Sequence, residues 1–147
     1  MQDKLADAIR VGIISSIDPT KGTAQVTFED REDMVSGELS VIMPVTGSNQ
    51  IYMMPAVNER VLCVFIPDSP SDGFILGSYY SEGRLPPVSS AEKVHMRFKD
   101  GSYVEYDNSS STLTVKASGN VIINAAQGVS VISEGNVSIS APHVSIN

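Results

Sequence analysis

The chain has 147 residues, enough for one domain with a proper core or a small domain with an appendage. With 10 Lys and Arg against 17 Asp and Glu, its formal charge of −7 has the wrong sign for a phosphate-binding surface of clustered cations. No apolar run approaches the ~18 residues of a membrane helix, and the single cysteine, Cys63, excludes an internal disulfide framework.

The opening MQDKLADAIR has acids near its start and no apolar core, so no signal peptide is expected and synthesis in the cytoplasm is. Its only helical candidate, Asp3 to Ile9 with Leu5 and Ile9 on one side, is too short to be stable without a partner. IRVGIISSI (9–17) is β-prone, and DPTKG (18–22) is a strong turn signal. TAQVTFE (23–29) alternates Ala24, Val26 and Phe28 against polar neighbours, the pattern of a half-buried strand. A charged loop, DREDM, follows. LSVIMPV (39–45) is a third apolar segment, and ERVLCVFIP (59–67) is so continuously apolar that it is expected to be the most buried strand. DSPSDG then reads as a turn and GFILG (73–77) as the fifth strand. Five short strands with no long helical period predict a small closed β-barrel. After LPP (85–87), VHMRFKDGSYVEYD predicts a hairpin with a two-residue Asp100-Gly101 turn.

Composition changes at NSSS (108–111): beyond it the only charged side chains are Lys116 and Glu134. The divisions expected are an N-terminal segment 1–8, a barrel 9–87, a transition hairpin 88–108 and a tail 109–147. The tail, LTVKASGN VIINAAQG VSVISEGN VSISAPHV, repeats every eight residues. Odd positions are mostly apolar or small and even positions mostly Ser, Thr, Asn or Lys, a period-2 pattern with one dry face. Gly119, Asn120, Gly128, Gly135 and Asn136 fall where each unit would bend.

One chain cannot bury that face. A single-chain β-helix needs several faces per coil, and a lone meander would leave its apolar side wet and its edges unpaired. Three copies wound about one axis solve both problems. The expected fold is therefore all-β: a barrel followed by an intertwined triple-stranded β-helix, a trimeric β-prism. Its expected core is Leu113, Val115, Val121, Ile123, Val129, Val131, Val137 and Ile139, with the small Ala117, Ala125 and Ser133 suited to a crowded axis.

From VGIISSIDPTKGTAQVTF, through RVLCVFIPDSPSDGFILGSYY, to HMRFKDGSYVEYDNSSSTLTV and the octads, the chain resembles the baseplate assembly protein V family, the central spike of contractile phage tails and related injection particles. The resemblance implies an OB-fold barrel, a three-stranded β-helix and a structural, non-enzymatic role. It further implies a homotrimer below the hub and tube proteins of the baseplate, in a phage tail or extracellular contractile particle, touching the target envelope transiently. A separate tip protein is an expected further partner. Nucleic acid and cofactors are not expected.

Two departures from the family pattern stand out. A glycine is usual in the turn before the central strand, where this chain has Val57-Asn58-Glu59; asparagine tolerates the left-handed backbone such a turn requires. Some members end in a His-x-His apex that holds iron between three chains, whereas here His143 is followed two places on by Ser145. No metal is expected, and His143 is a candidate ligand only in that threefold symmetry would gather three imidazoles.

Of the other chemistry-bearing residues, Cys63 reads as a core thiol and His95 as a half-exposed strand residue. The cluster Glu29-Asp30-Arg31-Glu32-Asp33 reads as a solvated turn or a partner contact. Two alternatives remain open. Acidic spacing alone allows a sugar-acting β-helical enzyme, and OB-folds often bind oligonucleotides. Against the latter, the chain has no Trp and too few cations for a basic stacking groove.

Overall fold

A computed structural model describes residues 7–147, the side chains of residues 70 and 71 apart, so all but the end of the candidate helix lies outside the described residues. The chain divides into two compact units, Met1–Pro87 and Val88–Asn147. Both are built from strands.

In the first unit β1 (Ile9–Asp18), β2 (Thr23–Phe28), β4 (Leu39–Val41), β5 (Arg60–Ile66) and β6 (Ser69–Ser78) close a five-stranded barrel of OB type. β1 serves two neighbours: its first half pairs with β5, and beyond Ile13 it crosses to β2 through a bulge between Ile14 and Ser16. That crossing brings β1 very close to β2. A Cβ on Gly12 would lie 2.4 Å from Val26 Cγ1 and 2.7 Å from the Thr27 carbonyl oxygen, so only glycine fits. The β4–β6 pairing is parallel; every other barrel ladder is antiparallel.

The β1–β2 turn forms as its residues dictate. Asp18 Oδ1 accepts from the Thr20 amide at 3.1 Å and the Thr20 hydroxyl at 2.6 Å, and Gly22 takes φ +68°. The Thr20 hydroxyl foremost, with Lys21 nearby, holds the Asp18 carboxyl below its ordinary value. The barrel interior is filled by Ile14, Ala24, Val26, Phe28, Leu39, Val61, Cys63, Phe65 and Ile75. Phe28 and Phe65 meet edge to face at 5.8 Å, and the Arg10 guanidinium lies 4.1 Å from the Phe28 centroid.

Four local readings are corrected. β5 alternates buried and half-buried residues as β2 does, so it is not singled out by burial; it looks continuously apolar because both its faces are. The turn in DSPSDG shrinks to Pro67-Asp68, because Ile66 already pairs with Ser69 and the strand runs from there to Ser78. The DREDM loop holds a 3-10 turn, Glu29–Arg31, and a two-residue edge strand β3 (Met34–Val35) on β2. Of LSVIMPV only Leu39–Val41 is strand, since its parallel partner matches it over just two residues.

The second unit is a meander of β7 (Lys93–Arg97), β8 (Tyr103–Asp107) and β9 (Thr112–Lys116), all antiparallel. The β7–β8 connection has three residues between the bonded pair Phe98 and Ser102, not two. The Gly101 amide donates to the Phe98 carbonyl at 3.0 Å, with Gly101 at φ +91°: a turn followed by a glycine bulge. Residues 108–111 form the β8–β9 turn, with Asp107 Oδ1 accepting from the Ser109 amide and hydroxyl. The compositional change at Asn108 thus falls on a turn inside one sheet.

Candidate assembly surface

Strand pairing sorts the meander's side chains onto two faces. On one, Val94, Tyr106 and Leu113 lie in register, as do Met96, Val104 and Val115. All six are exposed. The opposite face carries the polar set, and there the side chains cover one another. His95 Nδ1 lies 3.0 Å from Glu105 Oε1, Lys93 Nζ lies 3.5 Å from the same oxygen, and the His95 ring stacks on Tyr103 at 5.1 Å. The meander has its polar face closed and its apolar face wet, the inverse of a sheet that folds for itself.

Beyond β9 the backbone runs on extended. It bends at 118–119, 126–127, 134–135 and 142, an interval of eight residues throughout. The first three bends fall at or just before Gly119, Gly128 and Gly135, and the fourth falls at Pro142. No strand ladder forms along 117–147 among the described residues, and the expected core positions Leu113, Val115, Val121, Ile123, Val129, Val131, Val137 and Ile139 are 57–75% exposed within one chain. Each such N–H and C=O needs water or another strand, and each apolar side chain needs a cover. Even-numbered Ile122 and Ile132 are exposed as well, Ile132 at 91%.

The barrel carries a third apolar surface that sequence reasoning missed. Outward-facing residues on β1, β5 and β6 form neighbouring rows: Ile9, Val64 and Phe74, then Val11 and Leu62, with Leu76 beside them. Ile9, Val11, Phe74 and Leu76 are exposed. The signal was present in the unbroken apolar run of β5, which only a strand covered on both faces requires.

The remaining candidates are placed apart from one another. Cys63 is buried in the barrel, and burial pushes its thiol up to about 11 in spite of the nearby Arg10 charge. Glu29 lies 3.8 Å from Arg60, while Arg31, the turn's own cation, pairs with Asp7 outside the turn, so the turn stays acidic. His143 is exposed on the tail, and no cluster of three His, Cys, Asp or Glu that could hold a metal occurs among the described residues.

Residues 10–80, nearly the whole barrel, match the family of the Type VI secretion system/phage-baseplate injector OB domain. The barrel is thus similar to that injector domain over nearly its whole length. Beyond the injector OB domain, the chain is 29% identical over 142 residues to the spike protein of Escherichia phage P2. That alignment takes in 97% of the present chain, including the meander and the octads, and 62% of the phage P2 protein's length.

Proposed function

We propose that this chain is a structural spike component of a baseplate, and that it works as a homotrimer. Residues 109–147 of three copies would wind into a triple-stranded β-helix, with Leu113, Val115, Val121, Ile123, Val129, Val131, Val137 and Ile139 turned to the axis. The observation that carries the reading is the tail: extended backbone bent every eight residues, without a ladder, its apolar side chains uncovered. Such a segment is stable only when copies complete one another's hydrogen bonds and dry face. Likeness to a phage spike protein supports the same role.

The mechanism is mechanical and non-enzymatic. Strands shared among three chains must break together, which gives a stiff rod suited to transmitting force into a cell envelope. In this reading hub and tube proteins lie above the barrels, a separate tip protein covers the terminal strand edges, and neither nucleic acid nor a metal takes part. The complete particle is a contractile phage tail or a related extracellular injector.

The test is the native mass of the purified chain by sedimentation or mass spectrometry. Three times the 15.7 kDa chain mass, stable to dilution, supports the proposal. A monomer at micromolar concentration removes its basis.

A further inference from the structure

The barrel unit holds a notch of about 200 Å³ lined by Ile13, Asn58, Arg60, Tyr79, Ser81, Gly83 and Arg84. These come from β1, the residues entering β5, β5 itself and the segment after β6. Two features set it apart from the rest of an acidic chain. Its lining holds two arginines, two hydroxyl groups and a carboxamide, and no carboxylate. The donors are also little engaged by protein: Arg60 has Glu29 only at 3.8 Å, and the side chains of Arg84, Tyr79, Ser81 and Asn58 have no protein partner among the described residues, the exposed Asn58, Tyr79 and Arg84 meeting water that a ligand would displace.

The walls are fixed by backbone bonds. Ser81 and Arg84 exchange amide-to-carbonyl bonds of 3.1 and 3.0 Å, closing a tight turn that presents Arg84. The Tyr79 amide donates to the Arg60 carbonyl at 3.2 Å, and the Asn58 amide to the Ile14 carbonyl at 2.9 Å. Asn58 sits at φ +76°, where glycine would be the relaxed choice; asparagine instead adds a side-chain amide to the notch wall.

From this convergence of donors we infer that the notch binds a carboxylate. A guanidinium matches the planar, two-oxygen geometry of that group better than a point charge does, and two arginines line the notch. The volume admits a group the size of an aspartate or glutamate side chain and is too small for a nucleotide or a sugar chain. The occupant is either a free small acid or an acidic side chain of a neighbouring protein.

The test is a titration of the full-length, isotope-labelled protein followed by NMR. The probes are acetate, glutamate blocked at both backbone ends, acetamide and inorganic phosphate. Saturable shifts at Asn58, Gly83 and Arg84 are expected with acetate and with blocked glutamate, and none with acetamide. Tighter binding of blocked glutamate assigns the site to a protein side chain; equal or tighter binding of acetate assigns it to a free acid. Arg84→Gln, in an exposed turn, should weaken binding about tenfold, the loss of one charged hydrogen bond. Asn58→Gly, which suits the backbone, should weaken it by less while leaving the thermal midpoint in place. Shifts that do not saturate, that are unchanged in Arg84→Gln, or that favour phosphate over both carboxylates would overturn the inference.

Discussion

Substituting Val131 by Asp tests the proposed assembly at one atom-sized point. Bends at 126–127 and 134–135 leave the backbone between them straight, so alternation holds across it and Val129, Val131 and Ser133 share a side. Within one chain Val131 is 73% exposed, so an aspartate there meets water and the single chain has no reason to resist it. In a threefold assembly the same change puts three carboxylates together on a dry axis. Each buried, unpaired charge costs several kcal/mol, so the trimer loses on the order of 10 kcal/mol. That is about seven decades in the assembly constant. Ser130→Asp, on the other side of the same strand, should change stability by no more than ~0.5 kcal/mol. Sedimentation equilibrium of the two variants at matched concentration reads the difference. Equal damage from both, or a reversed order, would refute the facing of the octads and the β-helix built on it.

Three further outcomes follow from the barrel and its boundary. Gly12→Ala must push Val26 and the Thr27 carbonyl aside, so urea midpoints should fall by the equivalent of about 1–3 kcal/mol, the usual cost of overpacking. Cys63 should resist iodoacetamide at neutral pH in the native protein and react fully in denaturant. Its folded pKa of about 11 lies above the ordinary thiol value of 9.0, so between those values the native state holds the extra proton; stability should decline as pH rises through that window, and Cys63→Ala should remove that component of the decline. A fragment of residues 1–87 should fold alone, because the core cluster lies wholly within it, and should give a dispersed amide spectrum; a molten spectrum would show that the barrel depends on the meander.

The barrel was legible wherever one face was dry and the other wet. Thr23–Phe28 alternates in sequence and in burial alike, and β1 begins where its β-branched run begins. Errors came where local chemistry pointed one way and pairing another. Pro, Asp, Ser and Gly in DSPSDG are turn formers, yet β5 offers a ladder long enough to carry the strand from Ser69 onward. Met34 and Val35, set among acids, become strand only because β2 has a free edge to receive them. The octads were legible because eight-residue spacing and parity are local properties of the chain. The notch was not legible at all. Asn58, Arg60, Tyr79 and Arg84 carry no common motif, and only the closing of the barrel and the Ser81–Arg84 turn bring them to one wall.

The regular bends impose an arithmetic on how such a tail can vary in length. Removing or duplicating eight residues between the bends at 118–119 and 134–135 restores both the bend positions and the side on which each residue falls. Changing the length by an odd number reverses every side chain downstream, since strand parity is two. A change of four keeps parity but shifts each later bend half a unit out of the eight-residue interval. Length is therefore quantised in octads, and a longer or shorter tail is reached by whole-unit duplication or loss rather than by gradual insertion.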